Sequence, residues 1–275
     1  MQKSEKERAI IVWGESPAGT AHADGAVPGT KGYFETVRAK RNGYEIPWLF
    51  ELIPFPSFRD KSVLELGCGA GYDAFEFCHN GANYIGLDIT PQNLLLTKKH
   101  LNYFGYNPTV IRGDVENLPF KKENFDIIFS NGVLHHTPDT EGSFFEASRV
   151  LKTRGEFWVI VYHKNSIFYW LKLFLLDHLL RFGFCVRSFK ERLSMIEQST
   201  GTELPLVKVY SRTKLKKMLC ATGFKVTSIW VRKLLKEDLP DVPIMGKIWR
   251  FIPLSWLNSL GKSFGWYLIA RSEKN

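Results

Sequence analysis

Three glycines, each separated from the next by one residue, follow a short apolar run and are flanked by two acidic residues. The glycines are Gly67, Gly69 and Gly71, Glu65 lies two residues before the first, and Asp88 ends the next apolar run. Glycine can adopt positive φ and lets main-chain amides approach a ligand closely. An ionised Asp88 only accepts hydrogen bonds, which suits two ribose hydroxyls. The pattern predicts a site for an adenosine-containing ligand at this turn.

The spacing of the turn discriminates among adenosine ligands. Dinucleotide sites carry Gly-x-Gly-x-x-Gly and direct a helix N-terminus at a pyrophosphate, whereas this chain has Gly-x-Gly-x-Gly. Glu65 would repel a pyrophosphate but would suit an ammonium and a sulfonium group. S-adenosylmethionine combines adenosine, a cationic sulfur and an amino-acid tail without phosphate. We therefore expect it as the cofactor, with S-adenosylhomocysteine as its product, in preference to a nicotinamide cofactor.

Four sequence blocks in order resemble the class I S-adenosylmethionine-dependent methyltransferases, in particular the group of small-molecule tailoring and quinone-biosynthesis enzymes. The blocks are the glycine turn at 67–71, Asp88, residues 113–120 and residues 125–136. One glycine turn alone is a weak signal, whereas four blocks at these spacings are specific. The resemblance covers residues 60–165 strongly and the C-terminal part weakly. It implies a methyltransferase that binds S-adenosylmethionine.

The resemblance also implies roles for residues that follow the predicted strands. Asp114 is placed to accept a hydrogen bond from the adenine amino group, and the Val115 amide to donate to the ring. An N-cap or turn role for Asp114 is the alternative. Asn131 and Gly132 would pass close to the methionine portion of the cofactor, and Ile89 is counted with the cofactor-binding residues.

Histidines follow two of the strands and are the candidate catalytic residues, because histidine is the side chain most readily poised near neutral pH. His135 and His136 are adjacent, so they cannot both face the cleft in extended backbone. The family pattern suggests a structural role for His136, so His135 is the better catalytic candidate, with substrate contact or structure as its alternatives. Tyr162 and His163 fall at the cleft mouth, where His163 either lines the substrate pocket or is a surface histidine with its own hydrogen-bond partners.

The helices before the core often close over the cofactor in the resembling family. This places Tyr33, Arg38, Arg41 and Tyr44 as candidate substrate or carboxylate ligands. Asp73 would hold the cofactor ammonium or favour the start of its helix. No histidine or cysteine spacing typical of a metal site is present, so no metal is predicted.

Strands and helices alternate, which predicts an α/β fold with a doubly wound, mostly parallel sheet. The predicted strands are 62–66, 83–87, 109–112, 125–130, 155–162, 224–231 and 266–270. The last two resemble the closing hairpin of the family fold, which implies seven strands with the last antiparallel. We expect an N-terminal arm and helical lid over residues 1–60 and a methyltransferase domain over 61–275. Insertions at about 166–210 and 233–263 would form a substrate lid.

The charge is distributed unevenly along the chain. Residues 1–150 hold 15 basic and 19 acidic residues, whereas residues 151–275 hold 22 and 9. A basic half of this size points to an anionic partner, namely an anionic membrane surface, an anionic substrate or nucleic acid, or else to a solvated face. No Asn/Asp-Pro-Pro-Tyr block follows the fourth strand, which disfavours nucleic-acid bases.

The expected function is transfer of a methyl group to a small-molecule or lipid-linked acceptor, with oxygen favoured over carbon and carbon over nitrogen. A non-catalytic S-adenosylmethionine-binding partner or regulatory module is the alternative. The apolar run Ala9 to Val12 is too short for a signal peptide, so we expect a cytoplasmic protein, with association at a membrane surface. The acceptor and the oligomeric state stay open at this point.

Overall fold

A seven-stranded sheet forms the centre of the protein. A computed structural model describes residues 3–17, 19–197, 203–240, 249 and 251–275. The strands are β1 Ser62–Leu66, β2 Asn83–Asp88, β3 Thr109–Arg112, β4 Phe125–Asn131, β5 Leu151–Tyr162, β6 Phe224–Arg232 and β7 Tyr267–Lys274. Their order across the sheet is β3-β2-β1-β4-β5-β7-β6. Only β7 runs antiparallel to its neighbours, β5 and β6, which confirms the predicted fold class.

Helices cover both faces of the sheet. They are α1 Glu5–Glu15, α2 Lys31–Lys40, α3 Leu49–Leu52, α4 Tyr72–His79, α5 Pro91–Asn102, α6 Thr140–Val150, α7 Phe189–Ser194, α8 Arg212–Ala221 and α9 Leu254–Phe264. Two π-helical segments, Arg41–Glu45 and Phe168–Leu180, add to them. Short 3-10 turns include Leu134–His136 and Met195–Glu197.

Alternate residues of the central strands enter two cores, one on each face of the sheet. Leu64 and Leu66 of β1 pack in the same core as Phe144 of α6. Val63 packs on the opposite face with Phe77 of α4. A strand that is buried on both faces is continuously apolar, which is why β1 was predictable from its composition.

The strand order reverses between β1 and β4, which lie side by side and run parallel. In open α/β sheets the crevice at such a switch point, beyond the carboxyl ends of the strands, is where ligands bind. The glycine turn follows β1 and Asn131 ends β4, so the predicted cofactor residues converge there.

The two predicted insertions contain helical segments. Phe168–Leu180 and α7 lie between β5 and α8, and α9 lies between β6 and β7. Residues 198–202 of the first insertion, and 241–248 of the second with Pro243, lie outside the described residues. Within the described ranges, no helix is long and apolar enough to cross a membrane. The division into a lid and a methyltransferase domain stays a prediction.

Candidate functional site

A cavity of about 470 Å³ opens at the carboxyl ends of β1, β2 and β4. The glycine turn forms its floor, α1 contributes to its wall through Lys6 and Trp13, and β5 contributes Tyr162. The cavity therefore spans the predicted cofactor residues at one end and a group of aromatic and charged side chains at the other. This is the volume in which a cofactor and an acceptor can meet.

The glycines of the turn serve different purposes. Gly67 has φ +81°, and a Cβ there would overlap the side chain of Val133. Gly69 has φ +53°, and no atom lies within 4 Å of the place where its Cβ would stand. Because Gly69 lines the cavity, that space belongs to the ligand site. Gly71 precedes α4 with φ +80° and packs against Thr97 rather than lining the cavity.

His100 of α5 supports the glycine turn from behind. Its Nδ1 lies 2.9 Å from the carbonyl oxygen of Ala70, and its ring stacks on Phe34 with the centroids 4.4 Å apart. Burial lowers the pKa of His100 to about 4. The imidazole is therefore neutral in the folded protein at pH 7, and Nδ1 carries the hydrogen that it donates to Ala70.

Replacing His100 by glutamine should weaken the dependence of the free energy of unfolding on pH at acidic pH. Between pH 6.5, the ordinary histidine pKa, and about pH 4, the pKa of His100 in the folded protein, this histidine is protonated in the unfolded chain but neutral in the folded one. The free energy of unfolding then falls with decreasing pH by about 1.4 kcal/mol per unit from this group. Urea titrations at about pH 6 and about pH 5 should show that slope reduced by about this amount in His100→Gln. If the free energy of unfolding depended on pH equally in His100→Gln and in the exposed control His79→Gln, the lowered pKa of His100 would be contradicted.

Asp88, at the end of β2, is held in place by several donors. Its Oδ2 accepts from the Gly69 amide at 2.9 Å and its Oδ1 from the Thr90 amide at 2.8 Å, while Asn93 Nδ2 lies 3.4 Å from both oxygens. Burial raises its pKa, and the amide donors oppose that rise. A carboxylate offers about four lone-pair sites, so beside these three donors Asp88 keeps capacity for a further hydroxyl donor in the cavity.

Two acids stand where an amino-acid tail would lie. Glu65 is buried and accepts from the Tyr84 hydroxyl at 2.5 Å. Asp73 receives Arg41 Nη2 at 2.7 Å from each carboxylate oxygen, and Asn131 Nδ2 at 3.0 Å. Burial, with the charge of Asp73, raises the pKa of Glu65 well above its usual range. An incoming ammonium group would relieve this concentration of negative charge.

The first helix, α1, covers the end of the cavity where Asp114 lies. Lys6 donates to Asp114 Oδ2 at 2.6 Å and also pairs with Glu116. Ala9 and Trp13, on the same helix face as Lys6, line the cavity as well. Helix α1 was not predicted, although Ser4 and Glu7 have the spacing of a capping box, which the structure forms.

His136 faces the cavity and His135 lies behind it. The Nδ1 of His136 lies 2.6 Å from the Leu206 carbonyl, so Nδ1 carries the hydrogen and Nε2 offers a lone pair. That Nε2, and both ring nitrogens of His135, have no hydrogen-bond partner among the described residues. The centroid of the His135 ring lies 4.0 Å from those of His136 and Tyr162, with the rings tilted. Burial lowers the pKa of both histidines, which are therefore neutral at pH 7.

A carboxylate from a distant part of the chain joins this group. Glu197 lines the cavity and accepts a hydrogen bond from the Tyr162 hydroxyl. One nitrogen of each of His135 and His136 and one Glu197 oxygen all lie within 4.8 Å of one another. The spacing rules that predicted no metal did not find this group, because Glu197 is far from the histidine pair in sequence.

A second charged group at the same end of the cavity centres on Glu45. His22 Nε2 lies 2.9 Å from its carboxylate, the Tyr267 hydroxyl donates at 3.2 Å, and Lys233 Nζ lies 3.6 Å away. Burial alone would raise the pKa of Glu45, but His22 and Lys233 lower it to about 2. These residues come from separate segments, and no sequence signal links them.

The structure brings most predicted cofactor residues to the cavity. Those that line it are Glu65, Gly67, Gly69, Asp88, Ile89, Asp114, Val115, Asn131 and Gly132. Gly132 has φ +76° and, like Gly69, empty space at the position of a Cβ. Gly69 and Gly132 leave space for a ligand, and the carboxylates of Glu65, Asp73 and Asp88 provide negative charge. The volume and the charge of the site therefore both fit S-adenosylmethionine.

The predicted substrate and catalytic residues divide into two groups. Tyr162 and His136 line the cavity, as does Arg41 of the helices before the core. The others that were singled out do not line it: His135, His163, Tyr33, Arg38 and Tyr44.

Four of these residues make contacts elsewhere. His163 Nδ1 lies 3.0 Å from the Gly265 carbonyl, and the Tyr44 hydroxyl donates to Glu237 at 2.7 Å. The Arg38 guanidinium lies 3.7 Å from the centre of the Phe75 ring. The Tyr33 hydroxyl lies 3.4 Å from Thr20 Oγ1. These contacts give each side chain a local partner away from the cavity.

Comparison with known proteins agrees with this geometry. Residues 64–159 match a family described as a methyltransferase domain. The chain is 36% identical over 99 residues to phthiotriol/phenolphthiotriol dimycocerosates methyltransferase of Mycobacterium tuberculosis, covering 35% of this chain and 36% of that protein. It is 32% identical over 115 residues to sterol 24-C-methyltransferase of Pneumocystis carinii, covering 38% and 30%. The chain thus matches these curated relatives over about a third of their length.

Solved structures share the fold over the whole chain. Magnesium protoporphyrin IX methyltransferase from Synechocystis, with bound S-adenosylmethionine, has a TM-score of 0.60 at 12% identity and covers 100% of this chain and 99% of that one. A structure described as the complex between the Haloferax volcanii Trm112 methyltransferase activator and the putative methyltransferase has a TM-score of 0.57 at 15% identity, with coverage of 100% and 99%. Residues 64–159 therefore match a methyltransferase domain, and the chain as a whole shares its fold with an S-adenosylmethionine-binding methyltransferase.

Proposed function

We propose that this protein transfers a methyl group from S-adenosylmethionine to a small-molecule or lipid-linked acceptor, with oxygen as the favoured target. The observation that carries the proposal is a single cavity with two ends. One end holds Asp88, Glu65 and the open Gly69, which suit the cofactor. The other holds Tyr162, His136 and Glu197, polar side chains that can receive an acceptor.

When bound, S-adenosylmethionine supplies a methyl group attached to a positively charged sulfur. The displacement is in line, so positioning the acceptor is most of the work. Asp88 and Glu65 fix the two ends of the cofactor. His136 Nε2 and the Glu197 carboxylate would orient an acceptor oxygen, and the aromatic side chains of Trp13 and Phe168 line the same cavity.

Incubation with S-adenosylmethionine and a lipid extract tests this activity. We expect S-adenosylhomocysteine to accumulate and an extract component to gain the mass of one methyl group. Binding of S-adenosylmethionine without S-adenosylhomocysteine from any fraction, lipid or water-soluble, would contradict an enzyme and favour a binding module.

The lipid character of the acceptor is supported by a large apolar surface, defined here as the exposed apolar side chains of 170–186 and 251–264. Its members are Trp170, Leu171, Leu175, Leu179, Leu180, Phe182, Phe184, Val186, Phe251, Leu254, Trp256, Leu260 and Phe264. Large exposed patches of this kind mark interaction sites. Ile167 packs in one cluster with Leu257 of α9, which joins the two segments.

This surface adjoins the cavity and lies in the basic half of the chain. Phe168, which begins the segment Phe168–Leu180, lines the cavity, so an acceptor held at the apolar surface has a short path to the site. Exposed Arg187, Lys190 and Lys262 flank it. Two relatives are named for lipid acceptors, a dimycocerosate and a sterol. We therefore extend the proposal to contact with an anionic lipid surface.

Vesicle flotation tests this extension. We expect the protein to float with vesicles containing phosphatidylglycerol and to do so less with phosphatidylcholine alone. Phe182→Ser/Trp256→Ser removes two side chains that are 66% and 67% exposed, and the affinity should fall at least about 10-fold because each buries apolar area in the lipid. Phe145→Ser, a similar change on α6 outside the surface, should bind as the parent does. Equal binding by all three proteins, or no flotation at all, would contradict the membrane contact and leave the methyltransferase proposal intact.

A further inference from the structure

We propose that His135, His136 and Glu197 bind one divalent transition-metal ion at the acceptor end of the cavity. One ligand atom from each residue lies within 4.8 Å of the other two. Two imidazoles and a carboxylate are ligands that zinc, manganese, iron(II) and cobalt share. The binding site stands on this geometry alone, whereas its use in orienting an acceptor rests on the proposed function.

The tautomer of His136 is the one that a metal ligand requires. Its Nδ1–H donates to the Leu206 carbonyl at 2.6 Å. Metal-bound histidines almost always donate their other ring N–H to a carbonyl or carboxylate, which fixes the ring and directs the free nitrogen at the ion. The remaining Nε2 is buried and has no partner among the described residues. His136 and Glu197 both line the cavity, so this lone pair is available to an ion bound beside Glu197.

His135 supplies the second, independent observation. Its side chain is fully buried, and neither ring nitrogen has a partner among the described residues. Leaving a buried polar atom unsatisfied costs about 1–3 kcal/mol. The ring packs against those of His136 and Tyr162, with 4.0 Å between centroids in each pair and tilts of 47° and 44°. Coordination would satisfy one nitrogen of a ring that packing has already fixed.

Glu197 would complete the ligand set and bring negative charge. The Tyr162 hydroxyl donates to its Oε1, an outer contact of the kind that orients ligating carboxylates. Glu197 and His136 both line the cavity. Three protein ligands leave at least one open position, as in catalytic rather than structural metal sites. The open position faces the cavity, and the ligand class that fits it is an acceptor oxygen, such as a hydroxyl or carboxylate.

Cobalt(II) and zinc(II) titrations of the full-length protein, freed of metal by a chelator, test the site. We expect binding of one ion per chain, seen for cobalt as a visible absorption band and for zinc by calorimetry. Glu197→Gln keeps the acceptor for Tyr162 but removes the anionic ligand, so its affinity should fall at least about 10-fold. His79→Gln, which changes an exposed histidine on α4, should bind metal as the parent does.

The affinity for S-adenosylmethionine is measured on the same samples and shows that each variant is folded. Retained cofactor binding by a Glu197→Gln variant that has lost the metal supports the site. Absence of metal binding by the parent protein, or equal binding by parent and Glu197→Gln, overturns it. Methyl transfer is assayed separately, so the two proposals can fail independently. An enzyme that is active and binds no metal would contradict the metal site alone. A protein that binds metal but transfers no methyl group would contradict the proposed function alone.

Discussion

Replacing Gly69 by alanine is expected to weaken S-adenosylmethionine binding by about 10- to 100-fold while leaving the fold intact. No protein atom lies within 4 Å of the new Cβ, so the new methyl group meets no steric clash in the folded chain, and the strain of alanine at φ +53° is the cost that the control shares. The methyl group instead occupies the space that a bound cofactor needs. Forcing an extra carbon into a filled site costs about 1–3 kcal/mol, which gives that range of affinity. Calorimetric titration measures it directly.

Gly105→Ala is the matched control for this change. Gly105 has φ +80° in the exposed turn after α5, and its Cβ position is also empty. Both variants therefore carry similar left-handed strain, of roughly 1–2 kcal/mol, but only Gly69 lines the cavity. Unchanged cofactor affinity in Gly69→Ala, or equal losses in both variants, would show that the turn does not contact the ligand.

Replacing Arg41 by methionine is expected to lower the free energy of unfolding by about 3–5 kcal/mol. The Arg41 and Asp73 side chains are only 12% and 7% exposed, and the variant leaves a buried carboxylate without its cation. The double variant Arg41→Met/Asp73→Asn removes that charge, and position 73 can still accept from Asn131. It should therefore be less destabilised than Arg41→Met. Urea unfolding of both proteins gives the two free energies.

An exposed pair supplies the control for this comparison. Arg271 Nη2 lies 2.6 Å from Glu156, with side chains 41% and 25% exposed. Arg271→Met should cost less than about 1 kcal/mol, because water screens such pairs and competes for both partners. A loss from Arg41→Met no larger than that from Arg271→Met would mean that the Arg41–Asp73 pair does not stabilise the fold. A double variant as unstable as Arg41→Met would point to lost packing rather than to a stranded charge.

Much of the sheet was predictable because its central strands are buried on both faces. β1 has the predicted bounds, and so does β3, although it lies at the edge of the sheet. β5 begins at Leu151, earlier than the predicted 155. Its first residues pair with β4 only at Leu151, and a register shift separates this pair from the regular pairing of the rest of the strand. The predicted cofactor residues meet at the cavity because each lies at the carboxyl end of a strand or in the segment that follows it.

The acceptor end was not predictable in the same way. His136 was assigned a structural role, yet its ring lines the cavity, because a 3-10 turn at Leu134–His136 replaces the extended backbone that the argument assumed. Arg41 rather than Arg38 reaches the site, because a π-helical segment begins at Arg41 and alters the helical spacing. Glu197, Lys233 and Glu45 meet only through tertiary packing, for which spacing along the chain carries no signal.

Calorimetric titration of the full-length protein with S-adenosylmethionine, and separately with NADH, tests the central claim most directly. The claim is that the cavity at the ends of β1, β2 and β4 is an S-adenosylmethionine site. We predict binding of one S-adenosylmethionine per chain and no heat with NADH, since Glu65 and the glycine spacing oppose a pyrophosphate. Binding of NADH without binding of S-adenosylmethionine would contradict the account.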